Sequence, residues 1–213
     1  MKTRSKALLL TLCAVLLVAA SVLGTMAYLT STDKVTNTFT VGSVAIKLDE
    51  AQANPDGTLV EDAGRVKANS YKLLPGHTYN KDPMVTVIKG SEPSYVKMTV
   101  TFSKANELDV IFAPNGATLT GIFNGYDAAN WIYKGNTKDA ATNTRTYEFW
   151  YKEAVGAPVD DVALDALFDS FTVPDSVTKE QLATIEGMTI TVNAYAIQAD
   201  GFANAEAAWA AFK

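Results

Sequence analysis

The sequence predicts one all-β domain, an antiparallel β-sandwich with short helical insertions, preceded by an N-terminal signal helix. Most of the chain beyond its first segment alternates apolar and polar residues with the period of two that half-buried strands show. Turn-forming clusters of Pro, Gly and Asn separate these alternating segments. The length of 213 residues suits a single domain with a substantial core.

The N-terminal segment has the organisation of an export signal. A basic start is followed by an almost unbroken apolar run, Ala7–Leu23, and then by the small–x–small tripeptide that ends at Ala27. This order predicts a signal peptide over residues 1–27, cleaved between Ala27 and Tyr28, and a single domain over residues 28–213. Two alternatives remain open, a cut after Ala20 and an uncleaved anchor oriented by the same basic residues. The predicted membrane contact is confined to this segment before cleavage.

The composition excludes several classes of function. The net charge of −5 argues against a nucleic-acid partner, because binding to phosphates requires a basic face. The single His and the single Cys exclude zinc fingers, internal disulfides and His-based metalloprotease motifs. Since Cys13 lies in the apolar run, the exported part has no cysteine and must rely on its core. The sequence therefore predicts no metal site and no cofactor.

The alternating segments predict the strands of the sandwich. Four turn signals separate them, Asn54–Gly57, Pro75-Gly76, Pro114–Gly116 and Lys134–Asn136. The predicted strands are Thr36–Leu48, Met84–Ile88, Tyr95–Phe102, Leu119–Phe123, Thr146–Lys152 and Met188–Ile197.

Three segments in the last third of the chain predict short helices. Val162–Phe171 places its apolar residues on one helical face, after Asp160-Asp161 as a possible cap. Thr178–Gln181 has the spacing of a capping box. Ala203–Phe212 is rich in Ala and carries Trp209 and Phe212 three residues apart.

None of the residues with catalytic potential forms a convincing site. The pattern Ser-x-x-Lys occurs three times without the companion motifs of penicillin-binding enzymes, which predicts no catalysis by these serines. His77 is predicted in a surface loop without metal-binding partners. The three pairs are Ser31/Lys34, Ser94/Lys97 and Ser176/Lys179.

Acidic and aromatic clusters allow two further interpretations. The carboxylates at Asp49-Glu50, Glu61-Asp62 and Asp160–Asp165 could bind calcium, but solvated acidic loops and a helix N-terminus are the preferred interpretation. The aromatic run Tyr147–Tyr151 could stack on a carbohydrate. Since consecutive strand residues point to opposite faces, core packing by Phe149 and alternate neighbours is the preferred prediction.

Several short motifs, taken in their order, resemble the TasA/camelysin family over nearly the whole chain. Residues 27–33, AYLTSTD, resemble the cleavage junction of that family, and residues 37–42, NTFTVG, resemble its first strand. The family's later segments are similar to Leu74-Pro75-Gly76 with Lys81-Asp82-Pro83, Gly90-Ser91-Glu92 with Tyr95-Val96-Lys97, and Ala194–Phe202 with Ala207-Ala208-Trp209.

This resemblance implies a jelly-roll protein of Gram-positive bacteria, exported to the cell surface or biofilm matrix and processed by a dedicated signal peptidase of the SipW type. It also implies a self-assembling structural protein whose N-terminal strand completes the sheet of the next subunit. The expected donor segment is Tyr28–Phe39, with Tyr28, Val35 and Phe39 as apolar anchors. Pairing of this segment within its own sandwich is an equal alternative. Other matrix or cell-wall components are further possible partners.

Two other functions remain as alternatives to a fibre subunit. Camelysin-type relatives carry a metallopeptidase label, but this sequence has one His and no recognisable set of zinc ligands, so enzymatic activity is not expected. A monomeric surface adhesin is the second alternative. Fibres would sediment, a metallopeptidase would cleave casein in a chelator-sensitive way, and an adhesin would do neither.

Overall fold

The computed structural model describes residues 3–29, 42–112 and 122–212. The chain divides into two units, residues 1–41 and 42–213. The first unit contains helix α1, Thr3–Leu29, which covers the predicted signal segment. Among the described side chains, no helix combines the length and the apolar character needed to cross a membrane.

The second unit consists mainly of antiparallel β-sheet, consistent with the predicted all-β sandwich. Its described strands form three sheets, with the orders β2-β1-β4-β9, β3-β10-β6 and β11-β5-β8-β7. The strands are β1 Ile46–Ala51, β2 Arg65–Val66, β3 Thr78–Asn80, β4 Met84–Val87, β5 Ser94–Ser103, β6 Phe123–Asn124, β7 Trp131–Asp139, β8 Thr144–Tyr151, β9 Val162–Ala163, β10 Ser170–Thr172 and β11 Ile190–Gln198.

The alternation of the sequence becomes the alternation of burial in the longest strands. Along β5, every second residue from Val96 to Phe102 is buried in the core, and the residues between them face outward. Its neighbour β8 adds Tyr147 and Phe149 to the same core. The predicted strands Tyr95–Phe102, Thr146–Lys152 and Met188–Ile197 are therefore confirmed as β5, β8 and β11, with small shifts at their ends.

Three short helices complete the described part of this unit. They are α2 Ala105–Ile111, α3 Lys179–Thr184 and α4 Ala205–Ala211. The predicted capping box is present in α3, where Thr178 accepts a hydrogen bond from Gln181 N–H and the Gln181 side chain accepts one from Thr178 N–H. Helix α4 confirms the predicted C-terminal helix, whereas α2 was not predicted.

The prediction of a helix over Val162–Phe171 is wrong. This segment begins with the short strand β9 and ends with β10, and the chain between them runs along β4 and the residues before it. Leu164 N–H donates to Val85 O at 2.8 Å, and Leu167 N–H donates to Pro83 O at 3.1 Å. The helix-like spacing of apolar residues arises because an irregular extended segment inserts these side chains into the core.

Other predicted boundaries also shift. The Lys134–Asn136 turn is wrong, because these residues lie inside β7 at a β-bulge where Gly135 has a φ of 124°. The end of the predicted strand Thr36–Leu48 overlaps β1, which begins at Ile46. Residues 36–41 lie outside the described part. Of the predicted strand Leu119–Phe123, Phe123 is the first residue of β6, and residues 119–121 lie outside the described part.

Candidate functional site

The sheet β11-β5-β8-β7 ends in two long strands, β11 and β7, which form its edges. Each has nine residues, whereas the edge strands of the other two described sheets have two or three. An unpaired edge presents a row of N–H and C=O groups that can pair with another chain. These two edges are therefore the places where a long strand could be added.

Strand β11 uses alternate residues to pair with β5. Thr189, just before β11, accepts a hydrogen bond from Ser103 N–H at 3.0 Å, and Ala199, just after it, donates to Pro93 O at 2.6 Å. Bonded and non-bonded positions alternate along an antiparallel pair, so the odd-numbered residues of β11 bond to β5. The even-numbered residues direct their N–H and C=O groups outward, where no described strand pairs with them: Ile190, Val192, Ala194, Ala196 and Gln198.

A second open edge lies close to the first. Strand β1 contacts β11, although it belongs to a different sheet. Strand β2 pairs only with Glu50 and Ala51 of β1, so Ile46–Asp49 has no strand partner on that side within the described chain. There, the carbonyl O of Leu48 accepts a short hydrogen bond from the Lys67 ammonium.

The core side of β11 is less covered than that of its neighbour. Met98 and Val100 of β5 are fully buried, whereas their register partners Ala194 and Val192 in β11 are only half-buried. An added strand would cover these side chains and extend the apolar core. The residues that face the core along β11 are apolar throughout, from Ile190 to Ala196.

The opposite edge strand, β7, is poorly suited to pairing. It contains the bulge at Tyr133/Gly135 and exposes the side chains of Lys134 and Lys138. Bulges and lysines on edge strands prevent addition of a further strand. Strand β11 has neither feature, which makes it the more suitable acceptor.

The predicted donor and cleavage residues are mostly outside the described structure. Ala27 and Tyr28 lie in the last turn of α1, and the placement of their side chains is not described. Val35 and Phe39 lie outside the described residues. The cleavage site and the donor segment therefore stay predictions.

A partly buried ionic cluster, which the sequence did not predict, anchors β2 to β1 and to the connection between β3 and β4. Arg65 donates from Nε to Asp49 Oδ1 at 2.5 Å and from Nη1 to Asp82 Oδ2 at 2.8 Å. Its Nη2 donates to the carbonyl O of Asp49 and of Asp82, at 3.1 and 2.8 Å. Burial alone would raise the pKa of Asp49, but hydrogen bonds and positive charge from Lys47 and Arg65 hold it below its usual range.

A further ion pair, between Lys81 and Glu50, lies beside this cluster. The Lys81 ammonium donates a short hydrogen bond to Glu50 Oε2, and both side chains are 7% exposed. The preferred interpretation of Asp49-Glu50 as a solvated acidic loop is thus wrong, because both residues lie buried in β1 with cationic partners. That interpretation also fails for Asp160-Asp161 as a helix N-terminus, since no helix follows; Asp161 instead accepts from Lys89 N–H at 3.0 Å.

Two other candidate residues, His77 and Ser94, lie within the described structure. His77 is exposed at a turn, as predicted. Ser94 lies at the start of β5, fully buried, and pairs through its backbone with Val155. Within residues 3–29, 42–112 and 122–212, no group of three or more His, Cys, Asp or Glu side chains could hold a metal ion.

The aromatic run of β8 divides between the two faces of the sheet. Tyr147 and Phe149 are buried in the core, which confirms the preferred prediction, and Tyr151 packs against the core. Trp150 faces the other way, where Lys134 Nζ lies 4.1 Å from its ring centroid. The same face carries α4, whose Trp209 ring lies 6.2 Å from that of Trp150.

Lys97 connects α4 to this outer face of the sheet. Its Nζ lies 4.7 Å from the Trp209 ring centroid, 5.1 Å from that of Phe212 and 5.5 Å from that of Tyr195. A cation that contacts aromatic faces contributes about 0.5–2 kcal/mol, depending on its exposure. The ammonium therefore helps to hold the C-terminal helix against the sheet.

We expect Lys97→Met to lower the free energy of unfolding by about 1 kcal/mol, because the methionine keeps the apolar stem but loses the charge. Hydrogen exchange should accelerate in Ala205–Ala211 more than in β5. Lys97→Arg is the matched control and should retain the protection of α4. Equal protection of α4 in Lys97→Met and the unchanged protein would contradict this role of the charge.

The described fold and its edge define a predominantly antiparallel β protein in which β11 is the most suitable strand for pairing with a further segment. No family model matches the chain, and no curated protein or solved structure is significantly similar to it. The resemblance to the TasA/camelysin family therefore stays a prediction from the motifs.

Proposed function

We propose that this chain is an exported structural protein of the bacterial cell surface or biofilm matrix. In this proposal the sandwich is a jelly roll, and subunits assemble into fibres. The N-terminal segment of one subunit, Tyr28–Phe39, pairs with the edge of the next subunit. The observation that carries the proposal is the outward row of N–H and C=O groups along β11.

The dimensions of donor and acceptor are compatible. Nine residues of β11 extend over roughly 30 Å, and the predicted donor segment can span roughly 40 Å. Val35 and Phe39 of the donor are four residues apart, so they share one face of a strand. That face would cover the half-buried core side of β11, where small residues such as Ala194 and Ala196 leave room for a large side chain.

Cleavage would control when pairing begins. A cut between Ala27 and Tyr28 would leave only two residues of α1, Tyr28 and Leu29, on the exported chain. Two residues cannot sustain a helix, so the segment would be free to become extended. A head-to-tail contact of this kind gives an open filament when its rotation does not close a ring.

The test compares two forms of the exported chain by electron microscopy and sedimentation. Residues 28–213 should form sedimentable fibres in a concentration-dependent manner, and deletion of Tyr28–Thr38 should leave a soluble monomer. Fibres formed by the truncated chain would disprove the donor segment. A monomeric intact chain that cleaves casein in a chelator-sensitive way would instead support the metallopeptidase alternative.

A proline in β11 tests the acceptor strand separately. Ala194→Pro removes an outward N–H group but leaves the hydrogen bonds to β5 in place, so we expect the variant to fold and to lose fibre formation. Ala194→Ser keeps the amide and is the control. Circular dichroism should show the same β content in both variants. Normal fibres from a folded Ala194→Pro variant would exclude β11 as the acceptor.

A further inference from the structure

The pair Lys81–Glu50 has a third member, Asn69, which lies in the segment after β2. Asn69 Nδ2 donates to Glu50 Oε1 at 2.9 Å, while Lys81 Nζ donates to Glu50 Oε2. One carboxylate therefore bridges an amine and a carboxamide. The assembly edge described above uses none of these three side chains.

The orientation of the Asn69 amide is defined by two backbone groups of the chain after β1. Its Nδ2 also donates to the carbonyl O of Ala51 at 2.8 Å, and its Oδ1 accepts from Ala53 N–H at 2.9 Å. Since one contact requires a donor and the other an acceptor, the network assigns the nitrogen to the side that faces Glu50. The carbonyl oxygen faces an N–H group that can stabilise negative charge on it.

Tyr71 lies near this group, close enough for the charge of Glu50 to act on its phenol. The Tyr71 ring packs edge-on against Tyr79 and Phe171, with centroids 5.5 and 5.6 Å away. Burial, with a contribution from the negative charge of Glu50, raises the pKa of Tyr71, so its phenol stays neutral and donates to Asn80 O at 2.6 Å. Exclusion of water lowers the cost of moving a proton from a buried ammonium to its carboxylate partner.

We propose that Lys81 and Asn69 react with each other to form an isopeptide bond, with Glu50 as the proton carrier. Glu50 accepts a proton from the Lys81 ammonium, and the resulting amine attacks Cγ of Asn69. The negative charge that develops on Oδ1 is stabilised by Ala53 N–H. Glu50 then transfers the proton to Nδ2. The regenerated Glu50 carboxylate accepts the second proton from Nζ. The Cγ–Nδ2 bond breaks as the carbonyl re-forms, the departing ammonia takes this proton from Glu50 and leaves as ammonium, and Nζ of Lys81 remains joined to Cγ of Asn69.

This reaction needs no oxidant and no external reactant, since the lysine amine replaces the amide nitrogen. The product would tie the segment after β2 to the connection between β3 and β4 by a covalent bond. Such a bond would restrict the conformations of the unfolded chain, as a disulfide does. The exported part of the sequence has no cysteine with which to form a disulfide.

Mass spectrometry of the purified full chain tests the bond directly. Trypsin cleaves after Lys67, Lys72, Lys81 and Lys89, so an unmodified chain gives the separate peptides 68–72, 73–81 and 82–89. The bond blocks cleavage after Lys81 and yields one branched species that contains residues 68–72 and 73–89. Its mass should be about 17 Da below the sum of the two unlinked peptides, because ammonia is lost.

Three variants connect the product to the proposed chemistry. Lys81→Arg keeps a cation beside Glu50 but has no primary amine, Asn69→Ala removes the carboxamide, and Glu50→Gln removes the proton carrier. Each should give the unlinked peptides in full. The circular dichroism spectrum of Lys81→Arg should match that of the unchanged chain, which would show that the linked peptide is not lost through misfolding. Separate peptides at full mass from the folded, unchanged chain after prolonged incubation would overturn the inference.

Discussion

Replacing Arg65 with Met is expected to lower the free energy of unfolding by roughly 3 kcal/mol at neutral pH. The guanidinium contacts Asp49 and Asp82 through four hydrogen bonds, and the Asp49 side chain is only 2% exposed. Methionine preserves most of the apolar stem but leaves the buried Asp49 carboxylate with Lys47 as its remaining cationic partner. Urea denaturation with a two-state analysis measures the change.

The pH dependence of this difference identifies its electrostatic origin. The pKa of Asp49 is lowered in the folded protein, so its ionised form adds stability above the unfolded pKa, and this stability is lost as the pH falls through the folded value. The difference in the free energy of unfolding between the unchanged protein and Arg65→Met should therefore be largest at neutral pH. The difference should begin to narrow below about pH 4 and become smallest below the lowered pKa of Asp49, where the carboxyl is protonated in both proteins.

The control for Arg65→Met is Lys72→Met, which removes an exposed positive charge further along the same segment. We expect a change within about 0.5 kcal/mol for this variant. A loss below about 1 kcal/mol for Arg65→Met, or a gap that does not change with pH, would show that the guanidinium does not organise this cluster.

Phe168→Ala is expected to cost about 3–5 kcal/mol, because the side chain is fully buried and its removal leaves a cavity. The Phe168 ring stacks on Phe123, with centroids 3.7 Å apart and planes inclined by 19°. This contact joins the irregular segment between β9 and β10 to β6. Chemical denaturation should show an earlier midpoint with an unchanged slope.

Phe168→Leu is the matched control, since it keeps most of the apolar volume. The free energy of unfolding of Phe168→Leu should fall by only about 1.5 kcal/mol. If Phe168→Ala were no more destabilised than Phe168→Leu, the stacked ring would not be part of a closely packed core. The same comparison tests whether the segment from Val162 to Phe171 contributes to the core in its extended form.

Patterns within a few residues of each other were predicted well. The alternation in β5, β8 and β11 reports directly which side chains face the core, because strand geometry turns sequence parity into burial. The capping box of α3 was equally clear, since both of its hydrogen bonds connect Thr178 with Gln181.

Structural features that depend on partners far away in the sequence were not predicted well. The apolar spacing of Leu164, Leu167 and Phe168 fits a helix equally well, and only the hydrogen bonds to Val85 and Pro83 select the extended form. Helix α2 carried the weak signal of Ala105, Leu108 and Ile111 at intervals of three residues, all of them buried. Its N-cap, Lys104, has a left-handed φ of 57°, which no local pattern indicated.

Sequence patterns alone predict the antiparallel β character, the strands β5, β8 and β11 and the lack of cysteine after residue 13, because these depend on local alternation and on composition. The burial of Asp49 and Glu50, in contrast, depends on the packing of the whole chain. Their partners Arg65 and Lys81 lie 16 and 31 residues away along the chain. The tertiary structure also decided which long edge carries a bulge and which remains regular. Charge pairing and strand order connect positions far apart in the sequence, and only the packed chain brings them together.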